Sequence, residues 1–292
     1  MKKIIDVIDT NYLHLFLNNL IFEKDGSKVI IPTNNIDTLI LENDYMSISL
    51  PLINKLIDNG VNLIVCDSSH LPNALLIPYQ KYYSVKNLQT QINWNNEEKN
   101  TIWKSIIKQK ILNSLSTLNY LKLCNKDDEA KLINYSQTIK YMDYSNNEAH
   151  AAKLYFKCLF GENFIRSDND VEKNKYLNYG YAVLLSYVVR SLVAKGFDCR
   201  LGLFHKNYKN NFALATDVME PLRCIVDLTV YNFFKNNELL DFADYKKELF
   251  SFFHTNIKVL NKTISIVEYI NLIIEKFIKN QESEELTIDW GL

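Results

Sequence analysis

The apolar rhythm of this chain changes once, near residue 95, and the two halves predict different architectures. Before that point, short apolar runs alternate with polar breaks. Ile4–Ile8, Tyr12–Leu17, Leu20–Glu23, Lys28–Ile31, Ile36–Leu41, Val61–Cys66 and Ala74–Ile77 have the length and composition of strands. Lys24-Asp25-Gly26-Ser27 lies between two of them and predicts a hairpin. Ser47–Asn59 has helical spacing at Leu50, Ile53, Leu56 and Ile57, and Gly60 closes it. Beyond residue 95 the helical period dominates, at about 97–121, 127–140, 146–160, 175–195, 212–234, 241–253 and 264–280. Pro221 falls inside the 212–234 period and should kink it or begin a new helix.

These patterns predict an α+β protein. Residues 1–80 are expected to form an N-terminal β-rich domain, 81–96 a linker, and 97–292 a larger, mainly α-helical domain. A chain of 292 residues can bury a substantial core, and 47% hydrophobic with 23% charged residues is a globular composition. The five cysteines show no C-x-x-C pair, which reads as reduced thiols of a cytoplasmic protein and not as a disulfide frame or zinc knuckle. Asp6 and Asp9 interrupt the first apolar run, so it is no signal peptide. Leu177–Ala194 approaches the length of a membrane span. Asn178, Arg190 and its polar flanks predict a helix buried in protein instead, and no membrane association.

Net charge is −1, which gives no overall basic footprint for nucleic acid. The distribution is uneven. Lys195, Arg200, Lys206 and Lys209 gather around His205 against Asp198, and Lys99, Lys104, Lys108 and Lys110 line the start of the helical region. Glu282, Glu284, Glu285 and Asp289 collect near the C-terminus. Arginine is scarce, so any contacts to nucleic acid are expected to be salt-sensitive and made to the phosphate backbone, not to base edges.

Glu148, His205 and Glu220 offer two carboxylates and one imidazole, a donor set that suits Mg²⁺ or Mn²⁺ with positions left open. Each residue also has a plainer reading. Ser145-Asn146-Asn147-Glu148 is a capping box, His205 a loop histidine, and Asp217 with Glu220 a solvated acidic helix face at i, i+3. Asn178 and Gly180 head the most apolar helix, where a buried Asn must be hydrogen-bonded and Gly marks a close backbone approach. Helix packing and a role beside a site both fit them. Trp94, Trp103 and Trp290 read as packing residues.

Glu148-Ala149-His150-Ala151-Ala152-Lys153, Leu177-Asn178-Tyr179-Gly180-Tyr181-Ala182, Leu201-Gly202-Leu203-Phe204-His205 and Asp217-Val218-Met219-Glu220-Pro221-Leu222-Arg223 follow one another in the chain. In this order they resemble the CRISPR-associated integrase of spacer acquisition, the Cas-one family, and most of all its type II branch. Similarity continues in Leu39-Ile40-Leu41-Glu42, in Val61–Asp67 and from Leu88 to Trp103, so it covers nearly the whole chain. Two positions depart from the family: Ala149 stands where Gly is usual, and Cys224 where many relatives carry Pro.

The resemblance implies a metal-dependent DNA integrase or endonuclease with Glu148, His205 and Glu220 as metal-binding and catalytic residues. A 3′-hydroxyl of an incoming fragment would attack a phosphodiester at the edge of a CRISPR repeat. Arg200, Lys206 and Lys209 would bind DNA, with Asp217 and Asn178 supporting the ligands. The implied assembly is a homodimer joined to a dimer of the small Cas-two protein in a heterohexamer. It would act on double-stranded prespacer and repeat DNA, with other type II adaptation proteins as further partners. Two alternatives share the residues: a plain metal-dependent endonuclease, and a non-catalytic nucleic-acid scaffold. A Gly-rich phosphate loop is absent from the sequence, in keeping with chemistry that needs no nucleotide.

Overall fold

The computed structural model describes residues 3–8, 10–24, 26–43, 45–68, 72–76, 85–168, 170–204, 210–236, 241–278 and 285–291. The chain divides into two compact units, residues 1–82 and 83–292.

In the first unit the apolar runs become β1 (Lys3–Val7), β2 (Tyr12–Phe16), β3 (Asn19–Lys24), β4 (Ser27–Pro32), β5 (Ile36–Leu41), β6 (Ser47–Ile48), β7 (Asn62–Cys66) and β8 (Pro72–Leu76). Helix α1 (Leu50–Asp58) precedes β7. Among the described residues the strands form two four-stranded sheets, ordered β1-β5-β7-β8 and β4-β3-β2-β6. The first is parallel from β1 to β7, and β8 closes it as an antiparallel edge. Leu13, Leu20, Ile36, Leu39, Leu52 and Leu56 are fully buried and join both sheets and α1 in one core. The expected hairpin is present, with Gly26 at φ +71°. A second tight turn joins β2 to β3 through Leu17 and Asn18, both at positive φ. Two successive left-handed residues match the twist of a hairpin, but they leave no glycine signal when filled by Leu-Asn.

The second unit contains α2 (Val85–Ile92), α3 (Asn96–Leu121), α4 (Lys126–Gln137), α5 (Asn147–Phe160), α6 (Glu172–Ala194), α7 (Ala213–Met219), α8 (Arg223–Asn236), α9 (Phe242–Phe253) and α10 (Ile266–Ile278). Helix α2 corrects the linker expected at 81–96. Its amide side chains bind the backbone after α6: Asn87 donates to Lys195 O (2.6 Å), and Gln91 donates to Asp198 O (2.8 Å) and accepts from Asp198 N (2.9 Å). Polar contacts of this kind give little hydrophobic period to read. A hairpin was also missed: β9 (Asn256–Val259) and β10 (Lys262–Ser265) pair across Leu260-Asn261, again with two positive φ values. The 212–234 period divides at Pro221 as expected, into α7, a 3₁₀ turn at Glu220–Leu222, and α8.

Helix α6 is long and apolar enough to cross a membrane by length and composition, yet 67% of its most apolar window is buried inside the fold. It is closely approached at Gly180, where a Cβ would overlap Val226 Cγ1 of α8 and stand 2.7 Å from the Tyr245 hydroxyl of α9. Gly180 therefore serves helix packing, and its neighbours Tyr176 and Tyr179 pack edge-on against Phe242 and Tyr245. Gly180→Ala should lower unfolding stability by about 1–3 kcal/mol, since overpacking outweighs the gain in helix propensity. Chemical denaturation measures this, and an unchanged midpoint would refute the close approach.

Candidate metal centre

Three segments of the second unit bring Glu148, Glu220 and Lys110 together. Glu148 stands in the first turn of α5. The cap expected from Ser145 is not made; Asp143 replaces it, accepting the N–H groups of Asn147 and Glu148, both at 2.9 Å. Positive φ at Met142, Asp143 and Asn146 folds the chain tightly enough to aim that carboxylate at the helix end. The Glu148 side chain is thereby released from capping and turns to Lys110 on α3, with which it forms an ion pair.

Glu220 opens the 3₁₀ turn and is buried. Its Oε2 accepts from Lys110 Nζ at 2.6 Å and its Oε1 from Arg223 Nη2 at 2.9 Å. Burial pushes its pKa up, but the charges of Lys110 and Arg223 prevail and hold it at about 2. Burial likewise pulls Lys110 down, while Glu220 and Glu148 lift it to a net rise. The turn itself is fixed from α3, where Asn113 donates to Pro221 O (2.7 Å) and to the Tyr269 hydroxyl (2.8 Å).

The two carboxylates thus converge on one point, the Lys110 ammonium. The acidic pair expected between Asp217 and Glu220 does not form in this way. Asp217 is fully buried and accepts Leu203 N–H (2.7 Å) and Phe204 N–H (3.0 Å), while Phe204 stacks on Trp103 at 4.5 Å. Asp217 therefore fixes the backbone just before His205. His205, Lys206 and Lys209 lie outside the described residues. Of the other expected cations, Lys195 pairs with Glu275 (2.7 Å), and exposed Arg200 grips Asp198 (2.6 Å). Trp94, Trp103 and Trp290 are all buried, as expected of packing residues.

Asn178 is not buried as expected. It is exposed and accepts from Arg166 (2.7 Å); the buried asparagine is Asn174, one turn earlier, which donates to Ile165 O and Asp168 O. Arg166 and Arg223 both lie over the Tyr181 ring, at 5.1 and 4.7 Å, and Tyr181 donates to buried Asp227. Burial raises the Asp227 pKa to about 6. A cavity of about 490 Å³ joins these groups to Lys110, Glu148 and Glu220.

Two carboxylates facing one cation are chemically suited to Mg²⁺ or Mn²⁺, which take oxygen donors and keep several waters. Among the described residues no group of three His, Cys, Asp or Glu side chains forms, so these supply two of the three expected donors. Sequence reasoning missed Asn113 and Asp143, and named Lys110 without its place in the site. A row of polar residues at Gln109, Asn113 and Thr117, spaced by four along the helix, was the available signal for a buried polar face.

The Glu220 shift has a sign that can be measured. A carboxylate depressed from 4.5 to about 2 stabilises the fold fully above about pH 4.5 and loses that contribution as pH falls towards 2. The stability gap between wild type and Glu220→Gln should therefore be widest near neutrality and narrow across that window. Denaturation at a series of pH values reads it, and a gap independent of pH would contradict the assigned pairing.

Residues 7–259 match the family model described as CRISPR associated protein Cas1. The CRISPR-associated endonuclease Cas1 of Neisseria meningitidis serogroup C (strain 8013) is 34% identical over 268 residues, covering 91% of this chain and 87% of its own. Among solved structures, a casposase bound to integration product has a TM-score of 0.79 at 18% identity, over 98% of this chain and 93% of that one. A Cas6-RT-Cas1–Cas2 complex has a TM-score of 0.71 at 17% identity, over 100% of this chain and 37% of that one. The two structural likenesses speak to fold, and the sequence matches decide kinship: the chain belongs to the Cas1 family of CRISPR-associated proteins.

Proposed function

We propose that the chain is a divalent-metal-dependent DNA integrase of the type II branch, inserting new spacer DNA into a CRISPR array. The observation that supports it most is the meeting of Glu148 and Glu220, from separate elements, on one cation beside a cavity. In this reading Glu148, His205 and Glu220 hold Mg²⁺ or Mn²⁺. When bound, the ion favours ionisation of the attacking 3′-hydroxyl, polarises the scissile phosphate and offsets transition-state charge.

The protein's own groups do the rest. Glu220 stays ionised at any working pH because its cationic neighbours hold it so. Arg223 and Arg166 line the cavity and offer charge-assisted donors to phosphate oxygens. Asp217 fixes the approach to His205 through the 203–204 backbone. Arg200, Lys206 and Lys209 would contact the DNA backbone, supplying orientation without sequence choice. One phosphodiester replaces another, so no nucleotide is consumed. The partners are double-stranded DNA, a second copy of the chain and Cas2; the solved complex named for both Cas1 and Cas2 supports the last. Work on CRISPR DNA would place the protein in the cytoplasm.

A plain endonuclease would use the same donors with water as the nucleophile. DNA fragments with a free and with a blocked 3′ end separate the two. Strand transfer should occur with the free end alone, and equal reaction of both would overturn integration. Glu148→Gln and Glu220→Gln should each slow strand transfer on the order of a hundredfold or more, the scale of losing electrostatic stabilisation of a transition state. Measured without divalent metal, their DNA affinity should hardly change. Undiminished chemistry would favour a scaffold.

A further inference from the structure

We propose that Lys110 is a placeholder cation, whose ammonium competes with the divalent ion for Glu148 and Glu220 and yields when DNA phosphate takes it over. Metal and DNA would then bind cooperatively. This rests on the metal-site reading above and adds a residue and a coupling to it.

The geometry gives the competition. The Lys110 ammonium contacts one oxygen of each carboxylate, which is where an ion bridging the two would sit. The remaining Glu220 oxygen accepts from Arg223, so a metal placed between the two carboxylates has to displace the Lys110 ammonium that stands there. Arg223 is the less movable: its fork is planar, and it is stacked on Tyr181. Lys110 is a point charge on a flexible four-carbon stem, anchored mid-helix on α3, and its ammonium can swing away without backbone motion.

Charge gives the coupling. The cavity wall carries Lys110, Lys153, Arg166 and Arg223 against Glu148, Glu220 and Asp227. Four cationic side chains already exceed three carboxylates, so an added dication leaves uncompensated positive charge in a partly enclosed space. Phosphate groups relieve that excess and offer the displaced ammonium a new acceptor. Each ligand therefore improves the site for the other, and linkage requires the effect to be reciprocal.

The test measures Mn²⁺ binding to the full chain by calorimetry or by the electron paramagnetic resonance of free Mn²⁺, with and without a 3′-blocked duplex that cannot react. Wild type should bind Mn²⁺ more tightly when the duplex is present. Lys110→Met should bind it more tightly without DNA, on the order of tenfold, within the usual range of coupling between sites. It should also lose most of the DNA effect. Lys110→Arg keeps the charge and should keep the weak affinity. Lys110→Met should melt at a lower temperature than wild type without metal, because two carboxylates then face each other, and should recover with Mn²⁺. If that variant fails to fold, Lys110→Gln takes its place in every arm.

Mn²⁺ affinity of a folded Lys110→Met or Lys110→Gln that is equal to or weaker than wild type would overturn the placeholder. Glu148→Gln and Glu220→Gln separate this from failure of the site itself. Loss of Mn²⁺ binding in both, with Lys110→Met unchanged, rejects the placeholder alone. Unaltered binding in both rejects the metal site.

Discussion

Two carboxylates drawn to one buried point repel each other, and the helical unit is organised around making that meeting tolerable. Glu220 is almost sealed from water, and a buried carboxylate without a partner costs several kcal/mol. The cost is offset on both of its oxygens, by Lys110 on one and Arg223 on the other. Glu148 is more exposed and shares the Lys110 ammonium. Neither carboxylate is used to terminate a helix. Asp143 takes over that duty for α5, which leaves Glu148 free to face inward. A cation between the two is therefore a structural requirement.

Helix α3 carries the other half of the constraint. Lys110 and Asn113 are one turn apart on it, one holding the carboxylates and the other holding the turn that presents Glu220. The same polar row reaches further. Gln109 accepts from Leu286 N (2.9 Å), Asn113 accepts from Ile288 N (3.2 Å), and Thr117 accepts from Trp290 Nε1 (3.1 Å). Tyr269 of α10 closes the network by donating to Leu286 O at 2.7 Å. The C-terminal residues 286–290 are thus stitched to the helix that holds the site. A change in that terminal segment would be felt at Glu220 through Asn113, because buried polar networks act as units.

What could be read from sequence followed the physics of burial. Strands of the first unit and helices of the second announce themselves by apolar period, and Pro221 marked the break that carries Glu220. Two hairpins closed by Leu-Asn pairs were harder, since left-handed turns are recognised by glycine and these have none. Only the one with Gly26 carried a glycine signal. Helix α2 was missed because side-chain amides fasten it, not an apolar stripe. Within the site, Glu148 and Glu220 were found by their motifs, but Ser145 is a false cap and Asn178 a false buried residue. In both cases a neighbour of similar chemistry, Asp143 or Asn174, holds the expected place. Lys110 was grouped with Lys99, Lys104 and Lys108 because nothing local distinguishes a lysine with two distant carboxylate partners from one in water.

The same error of scale explains how a chain of net charge −1 can offer DNA a favourable surface. Total charge sums over 292 residues, whereas charges at the surface act over a screening length of about 8–10 Å. Two of the cations that cluster in the sequence are already engaged, Lys195 with Glu275 and Arg200 with Asp198. The surplus lies instead among residues far apart in sequence, where Lys110, Lys153, Arg166 and Arg223 line one cavity. On the proposed reading, a metal site built this way is not maximally attractive to metal. It is neutral or positive before an ion arrives, so it favours the ion most when an anionic substrate arrives with it.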